Sequence, residues 1–222
     1  SALFVHCGGS PQALAKISAE NIFNLNEFYQ GSFFWRDKSK PAPHNIYTSS
    51  ENLKKYLALK KAPEGKFLPW QFKDDALLAE RPEKGEIAVN FPLPDYMVKW
   101  QYNKENNDYT RYMAGRIHKD ASGKEIKAKN VIIEYVGARV IDEELRLEME
   151  HIGFGQAIDC LDGKCETGEW QKRSSVARTR FYKTIKPPLD KGGGGGFPGE
   201  EFQFNAGATW IEVVRPEYEV SY

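Results

Sequence analysis

The hydrophobic residues of positions 85–222 recur at every second position, and this alternation restricts that part of the chain to half-buried strands. A helix would instead place them three or four positions apart. The alternation is clear in the segments 87–91 and 98–102, and it returns at 109–113 and 145–149. The segments 130–136, 157–160, 165–170, 177–182 and 209–214 are also predicted to be strands. The pattern predicts a meander of about seven to nine strands, mainly antiparallel, with no helix longer than about three turns.

Asp162 and Gly163 are the strongest turn signal in this half, because a two-residue Asp-Gly loop between alternating segments favours a type I′ hairpin. The hairpin places Cys160 and Cys165 directly opposite each other in a non-hydrogen-bonded pair, with Cα atoms ~4.5 Å apart. That separation is at the short end of the range for disulfides. We therefore predict a Cys160–Cys165 disulfide that leaves Cys7 unpaired. The alternative is two cysteines packed as small hydrophobic side chains.

The N-terminal part follows a different pattern, that of a strand, a tight turn and a helix. Residues 2–6 are a short run of strand formers, and Ser10 and Pro11 are typical of the cap and the first position of a helix. A second helix is predicted from a capping box, in which Thr48 and Glu51 satisfy each other's backbone N–H groups.

Residues 62–85 are rich in proline and loop-forming residues, and we place the domain boundary within them. The sequence predicts an α+β protein, with an α/β-type N-terminal part in residues 1–84 and a β-rich, mainly antiparallel part in residues 85–222. Five consecutive glycines at 192–196 are predicted to form an exposed loop between two strands.

Charge and cysteine content exclude several classes of protein. Lys+Arg and Asp+Glu both number 31, so the chain has no net charge and is a poor candidate for a nucleic-acid binder. No apolar run approaches the ~20 residues of a membrane helix. The cysteines and histidines lack zinc spacing, and the five-glycine run lacks the Lys-Ser/Thr of a phosphate loop, so we predict no metal and no cofactor.

A candidate anion-binding turn is formed by His6, Gly8, Gly9 and Ser10. The turn leads from a strand into a helix, whose N-terminus presents free N–H groups and a partial positive charge. We expect His44, which precedes the second helix, to approach the turn and contact the same anionic group. The alternative is a purely structural strand-to-helix turn with a histidine at the strand end.

The same residues allow two nucleophilic arrangements. Ser10 can pair with His44, and Cys7 can act as a thiol nucleophile beside His6 or His44. No partner acid can be named for either arrangement, and helix capping is sufficient to explain Ser10.

Three long segments resemble the YerB-like lipoproteins of Gram-positive bacteria: residues 6–17 (HCGGSPQALAKI), 43–53 (PHNIYTSSENL) and 110–136 (TRYMAGRIHKDASGKEIKAKNVIIEYV). Shorter segments extend the resemblance through residues 168–172, 177–182 and 209–214, so that it covers most of the chain. The resemblance implies two domains of unknown function and an extracytoplasmic protein tethered by a lipidated cysteine. An oxidising compartment of this kind would allow the Cys160–Cys165 disulfide to form.

The resemblance also implies that this chain opens within the first domain, and that the lipid anchor, its only link to a membrane, lies outside the chain. Cys7 is not the expected lipidation cysteine, because its neighbours are a strand and a turn rather than the apolar region of a signal peptide.

These observations leave three hypotheses for function. The first is a non-catalytic binding or scaffolding module at the cell surface, whose partner is another protein, an anionic cell-wall polymer or a small molecule. The second is a cell-wall-polymer hydrolase or transferase with His6, Ser10 and His44 around an anionic substrate group. The third is a cytosolic partner-binding domain.

Overall fold

The protein is described by a computed structural model that covers residues 2–62, 65, 68–184 and 199–222. It divides into two compact units, Ser1–Phe67 and Leu68–Tyr222, called here the first and the second unit. Strands dominate the described residues, which contain two α-helices. The predicted glycine loop at 192–196 lies outside the described residues.

The first unit contains both α-helices and two short strand pairs. Strands β1 and β2 pair in parallel, and α1 connects them; β3 and β4 pair in antiparallel fashion and precede α2. The elements are β1 (Phe4–His6), α1 (Pro11–Ala19), β2 (Asn24–Asn26), β3 (Trp35–Arg36), β4 (Ile46–Tyr47) and α2 (Ser50–Leu59).

The two helices begin close to the predicted positions, but one cap differs. Ser10 caps α1, and its Oγ accepts a hydrogen bond from the backbone N–H of Ala13. The cap of α2 is Ser49, whose side chain accepts from Asn52 N–H, so the predicted capping role of Thr48 is wrong. The Thr48 hydroxyl instead donates to the carbonyl of Phe33, a tertiary contact that sequence spacing does not reveal.

The second unit is built from two β-sheets. One has the order β10-β8-β7-β6-β19 with β9 beside β8, and the other has the order β16-β15-β14-β11-β18. Two smaller pairs, β12 with β13 and β5 with β17, complete the unit. Its strands are β5 (Gln71–Lys73), β6 (Glu86–Val89), β7 (Val98–Asn103), β8 (Asp108–Met113), β9 (Arg116–Ile117), β10 (Lys127–Ala128), β11 (Asn130–Tyr135), β12 (Ala138–Val140), β13 (Leu147–Met149), β14 (Gly153–Leu161), β15 (Lys164–Lys172), β16 (Arg180–Lys183), β17 (Gln203–Asn205), β18 (Thr209–Val214) and β19 (Val220–Ser221).

The inward side chains of the two sheets form one hydrophobic core, which includes Trp100 and Tyr109 from one sheet and Ile133 from the other. A second hydrophobic core lies on the other face of the sheet that contains β11, β14 and β15, and Trp170 and Phe204 are buried in it. Because β11 is covered on both faces, its apolar residues form a continuous run rather than an alternation.

The β-rich character of the predicted fold is confirmed, and the pairing is mostly antiparallel, with β11–β18 and β5–β17 as parallel pairs in the second unit. The helices described in this unit are single 3₁₀ turns at Leu78–Glu80 and Pro94–Tyr96. The units divide between residues 67 and 68, within the stretch 62–85, and β5 belongs with the sheets because it pairs with β17. Within the described part of the chain, no helix combines the length and apolarity needed to cross a membrane.

Candidate functional site

The predicted anion turn is occupied by its own hydrogen bonds. His6 Nδ1 lies 2.7 Å from the carbonyl oxygen of Gly8, and Nε2 lies 3.1 Å from Asn24 Oδ1. Gly8 adopts φ +67°, and a Cβ there would meet the ring of Phe28 at 2.9 Å, so this position requires glycine. Each ring nitrogen of His6 therefore already has a protein oxygen within hydrogen-bonding distance.

The other predicted members of that site make separate contacts. His44 is exposed in the loop between β3 and β4, and no hydrogen bond or ion pair joins it to His6 or Ser10 within the described ranges. Gly9 is exposed and packs against Leu14. A shared anion site of these residues stays a prediction.

Cys7 is exposed, and its Sγ lies 3.6 Å from a carboxylate oxygen of Glu27. Desolvation and this carboxylate raise the pKa of the Cys7 thiol. A raised pKa lowers the fraction of reactive thiolate, which is the opposite of what a thiol nucleophile needs.

The β14–β15 hairpin has the geometry expected from its sequence. Asp162 and Gly163 have φ values of +54° and +75°, the positive values that a type I′ turn requires at both positions. Cys160 and Cys165 face each other across the strands with Cα atoms 4.1 Å apart and are joined by a disulfide.

A polar network that sequence spacing does not reveal surrounds the hairpin turn. The buried carboxylate of Asp162 accepts hydrogen bonds from Asn107 at 2.6 Å, from Asn205 at 2.8 Å and from Lys73 at 2.5 Å. Burial raises the pKa of Asp162, but these hydrogen bonds outweigh it and hold the pKa below its ordinary value. Asn130 ties the network to the sheet by donating to the carbonyl of Asn205.

Next to this network is a cavity of about 450 Å³. One side is the face of the β14–β15 hairpin that carries Asp159 and Leu161, together with their cross-strand partners Glu166 and Lys164. Cross-strand partners share a face of the sheet, so these four side chains point to the cavity side. Phe202 also lines the cavity.

Asp159 is the unusual residue of this cavity. Its side chain is completely buried, and neither carboxyl oxygen has a hydrogen-bonding partner in the described part of the chain. Burial, with a smaller contribution from Glu166, raises the pKa of Asp159 to about 8. Asp159 is therefore a neutral carboxylic acid at pH 7, held at the inner wall of a cavity.

Acidic groups outnumber basic groups around the cavity. The basic residues that line it are Lys73, Lys164 and Lys183, and the acidic residues are Glu80, Asp159, Asp162, Glu166, Glu200 and Glu201. Two of the lysines already have acidic partners, since Lys73 pairs with Asp162 at 2.5 Å and Lys183 lies 4.0 Å from Glu166. The cavity therefore carries an excess of negative charge.

A second cavity, of about 780 Å³, lies where β14 separates from β11. Here the indole N–H of Trp170 donates to the carbonyl of Tyr135 at 2.7 Å, and the β11–β14 pairing ends at Ala157. Gly155 leaves room for the indole, because a Cβ there would lie 2.6 Å from Trp170 Nε1. The wall of this second cavity includes the exposed side chain of Phe154.

No group of three or more His, Cys, Asp or Glu side chains among the described residues is arranged to hold a metal ion. No such group lies among the described residues that line the acidic cavity. The sequence does contain a signal for the unusual position of Asp159. This residue lies between Ala157 and Leu161 on one face of its strand, where an apolar residue is expected.

The chain resembles proteins already described. Over 223 aligned residues it is 28% identical to the "Putative lipoprotein YerB" of Bacillus subtilis (strain 168), an alignment that covers 96% of this chain and 60% of that protein. The chain thus spans about three fifths of the length of that relative. The crystal structure of the YerB protein from Bacillus subtilis superimposes with a TM-score of 0.77 at 23% identity, covering 100% of this chain and 71% of that one, and shows that the fold is shared.

Family assignment comes from two matches that together span both units. Residues 1–63 match the N-terminal domain of the protein of unknown function DUF3048, and residues 87–211 match its C-terminal domain. The second match alone covers more than half of the chain. The resemblance to YerB-like proteins is confirmed, and the chain belongs to the DUF3048 family.

Proposed function

We propose that this protein is a non-catalytic binding module that acts outside the cytoplasm, and that it holds its ligand in the cavity beside Asp159. The proposed location and lipid anchor are supported by the lipoprotein name of the Bacillus subtilis relative. The first unit is proposed to be of the α/β type, on the basis of the parallel β1–β2 pair connected by α1.

The observation that carries the proposal is the unpartnered carboxyl of Asp159. Burying a polar group without a hydrogen bond costs ~1–3 kcal/mol, and folded proteins rarely keep such groups without a functional reason. Asp159 is fully buried, lacks a partner among the described residues and lines a cavity large enough for a small molecule.

We propose binding rather than catalysis because the described residues show no nucleophile paired with a base in this cavity. Its described lining contains lysine, carboxylate, amide and apolar side chains, and it offers no serine, cysteine, threonine or histidine as a nucleophile or its base. A hydrolase or transferase centred on His6, Ser10 and His44 is less well supported, because His6 uses both ring nitrogens in its own turn.

The test is a ligand-observed NMR screen of the whole chain with five chemically distinct probes: n-butylammonium, n-butylguanidinium, n-butanol, butyrate and glucose. The proposal expects at least one probe to bind the wild-type protein and to lose at least tenfold in affinity in Asp159→Asn. Glu169→Gln is the matched control, because Glu169 is an exposed carboxylate of β15 that does not line the cavity.

The absence of binding by all five probes contradicts the proposal, and so does binding that is equal in the wild type and Asp159→Asn. If Asp159→Asn does not fold, the carboxyl carbon of Asp159 in the wild-type protein is the readout. Its ¹³C chemical shift must then change when a bound probe is added.

A further inference from the structure

We infer that the cavity beside Asp159 binds an organic cation whose charged nitrogen carries N–H groups, namely an amino or a guanidino group. This inference rests on the proposed function, and it adds the chemical class of the ligand. Three features of the cavity support it: its charge, the unused hydrogen-bonding capacity of Asp159, and the proton that Asp159 holds when the cavity is empty.

The charge of the cavity selects against anions. Its lysines are opposed by a larger number of carboxylates, and Lys73 is already committed to Asp162. Glu201, which also lines the cavity, is paired with Arg180. The negative charge that remains, at Glu80 and Glu200, exceeds the positive charge of Lys164, so the cavity would repel a carboxylate or phosphate and attract a cation.

The carboxyl of Asp159 explains why the cation needs N–H groups. Both of its oxygens lack a partner among the residues described, and N–H donors of a bound ligand can satisfy one or both. Hydrogen bonds between charged groups are roughly twice as strong as those between neutral groups. A quaternary ammonium ion has no N–H group and would leave the carboxyl unsatisfied.

Access to Asp159 requires a small movement of the cavity wall. The Phe202 ring edge and the Asp159 carboxyl both lie beside Gly168. A Cβ at this glycine would lie 2.7 Å from Phe202 Cε2 and 3.1 Å from Asp159 Oδ2. Asp159 is fully buried and its oxygens do not reach solvent. For the ligand nitrogen to reach the carboxyl, the Phe202 ring, which is buried in the core with Trp170, would have to move.

Binding of a cation must displace the proton of Asp159. In the empty cavity the carboxyl is protonated at neutral pH, because burial raises its pKa to about 8. When the cation binds, the O–H bond of the carboxyl breaks, its proton passes to solvent, and the resulting carboxylate accepts the N–H groups of the ligand. Other charged groups facing this site are Lys73, Glu80, Asp162, Lys164, Glu166, Lys183, Glu200 and Glu201.

The experiment measures the affinity of n-butylammonium and n-butylguanidinium by NMR titration of the whole chain between pH 6 and pH 8. The expected result is an affinity that rises at least tenfold from pH 6 to pH 8. As the pH rises, a smaller fraction of the protein molecules carries the Asp159 proton that binding must displace. The Asp159→Asn variant should bind at least tenfold more weakly and lose the pH dependence, while Glu169→Gln should match the wild type.

If Asp159→Asn does not fold, the ¹³C chemical shift of the Asp159 carboxyl in the wild-type protein is measured in place of the variant's affinity. At pH 6.5 this signal should move from the position of a protonated acid to that of a carboxylate as n-butylammonium is added. A signal that keeps the protonated position at saturation overturns the inference.

The remaining probes separate this inference from the proposed function. Tetramethylammonium is added as a sixth probe, and if it binds as tightly as n-butylammonium, the requirement for N–H groups is overturned. Asp159-dependent binding of butyrate, glucose or n-butanol, without binding of either cation, overturns the cationic class but leaves the proposed function intact. If no probe binds, both are wrong.

Discussion

Arg111 of β8 and Glu212 of β18 form an ion pair between the two sheets of the second unit, with Nε 3.1 Å from Oε1. Both side chains are 7% exposed. The same carboxylate oxygen accepts the indole N–H of Trp100, and the guanidinium lies 4.7 Å from the centroid of the Trp210 ring. The pair is therefore enclosed by aromatic side chains, where an unpaired charge would be poorly solvated.

Removing one member of this pair should destabilise the protein strongly. Glu212→Gln keeps an acceptor for Trp100 but leaves the charge of Arg111 without its partner, so we expect the free energy of unfolding to fall by about 3 kcal/mol. Urea denaturation measures this loss. Glu148→Gln, which breaks an exposed pair with Arg139, is the control and should cost less than about 1 kcal/mol. Equal losses in the two variants would contradict the burial argument.

Gly163→Ala should disrupt the hairpin turn, whereas Gly123→Ala should be tolerated better. Both glycines have a positive φ, +75° and +84°, so both substitutions add backbone strain of ~1 kcal/mol. At Gly163 the new Cβ would also lie 2.5 Å from Tyr102 Cε1, whereas at Gly123 it meets nothing within 4 Å. Thermal unfolding should therefore show a drop in Tm at least twice as large for Gly163→Ala, and a larger drop for Gly123→Ala would be inconsistent with this packing.

The disulfide can be tested by counting thiols. Protein that has never met a reductant should show one free thiol under denaturing conditions, that of Cys7, because Cys160 and Cys165 are bonded. The bond closes a short loop, so replacing both cysteines by alanine should cost less than the ~3 kcal/mol expected for a 15-residue loop. Three free thiols would show that the two cysteines pack without bonding.

Asp159 should make the stability of the protein depend on pH in a defined window. Its pKa is about 8 in the native state and ~3.9 in an unfolded chain. Between these values the native state holds a proton that the unfolded state has lost, so the free energy of unfolding falls as pH rises from about 4 to about 8. Above that window the loss is complete and constant.

Asp159→Asn has no such proton, so its stability relative to the wild type should increase from pH 4.5 to pH 8.5. The gain should be on the order of a few kcal/mol, and urea denaturation at both pH values measures it. The free energy of unfolding of the control Glu169→Gln should change with pH in the same way as that of the wild type. Parallel curves for Asp159→Asn and the wild type would show that Asp159 is already ionised in the native state.

Local rules predicted several elements well. Ser10 followed by Pro11 marks a helix start that depends on one side chain and its neighbours, and α1 begins there. Asp162-Gly163 sets the register of its hairpin through the backbone angles of two residues, so the opposition of Cys160 and Cys165 follows directly.

The same rules failed where distant residues compete for one group. Thr48 and Ser49 are both acceptable caps, and Thr48 is diverted because its hydroxyl reaches the carbonyl of Phe33. The spacing of His6 also does not reveal that its ring lies against Gly8 and Asn24, so its predicted contact with an anion stays a prediction. Nothing in the spacing of His44 indicates that it lies exposed in a separate loop.

The sequence by itself determined the longer strands of the second unit, where the hairpin turns and which family the chain resembles, because alternation, turn chemistry and residue strings are local properties. It did not predict the short strands β5, β12, β17 and β19, and residues 85–222 contain more strands than the predicted seven to nine. Only the tertiary structure decided that Asp159 is buried with no partner among the described residues while Asp162, three positions away, is surrounded by donors. Those donors and the cavity come from residues far apart in the chain, such as Lys73, Asn107 and Asn205. The environment of a buried charge is set by such long-range neighbours, which no local pattern specifies.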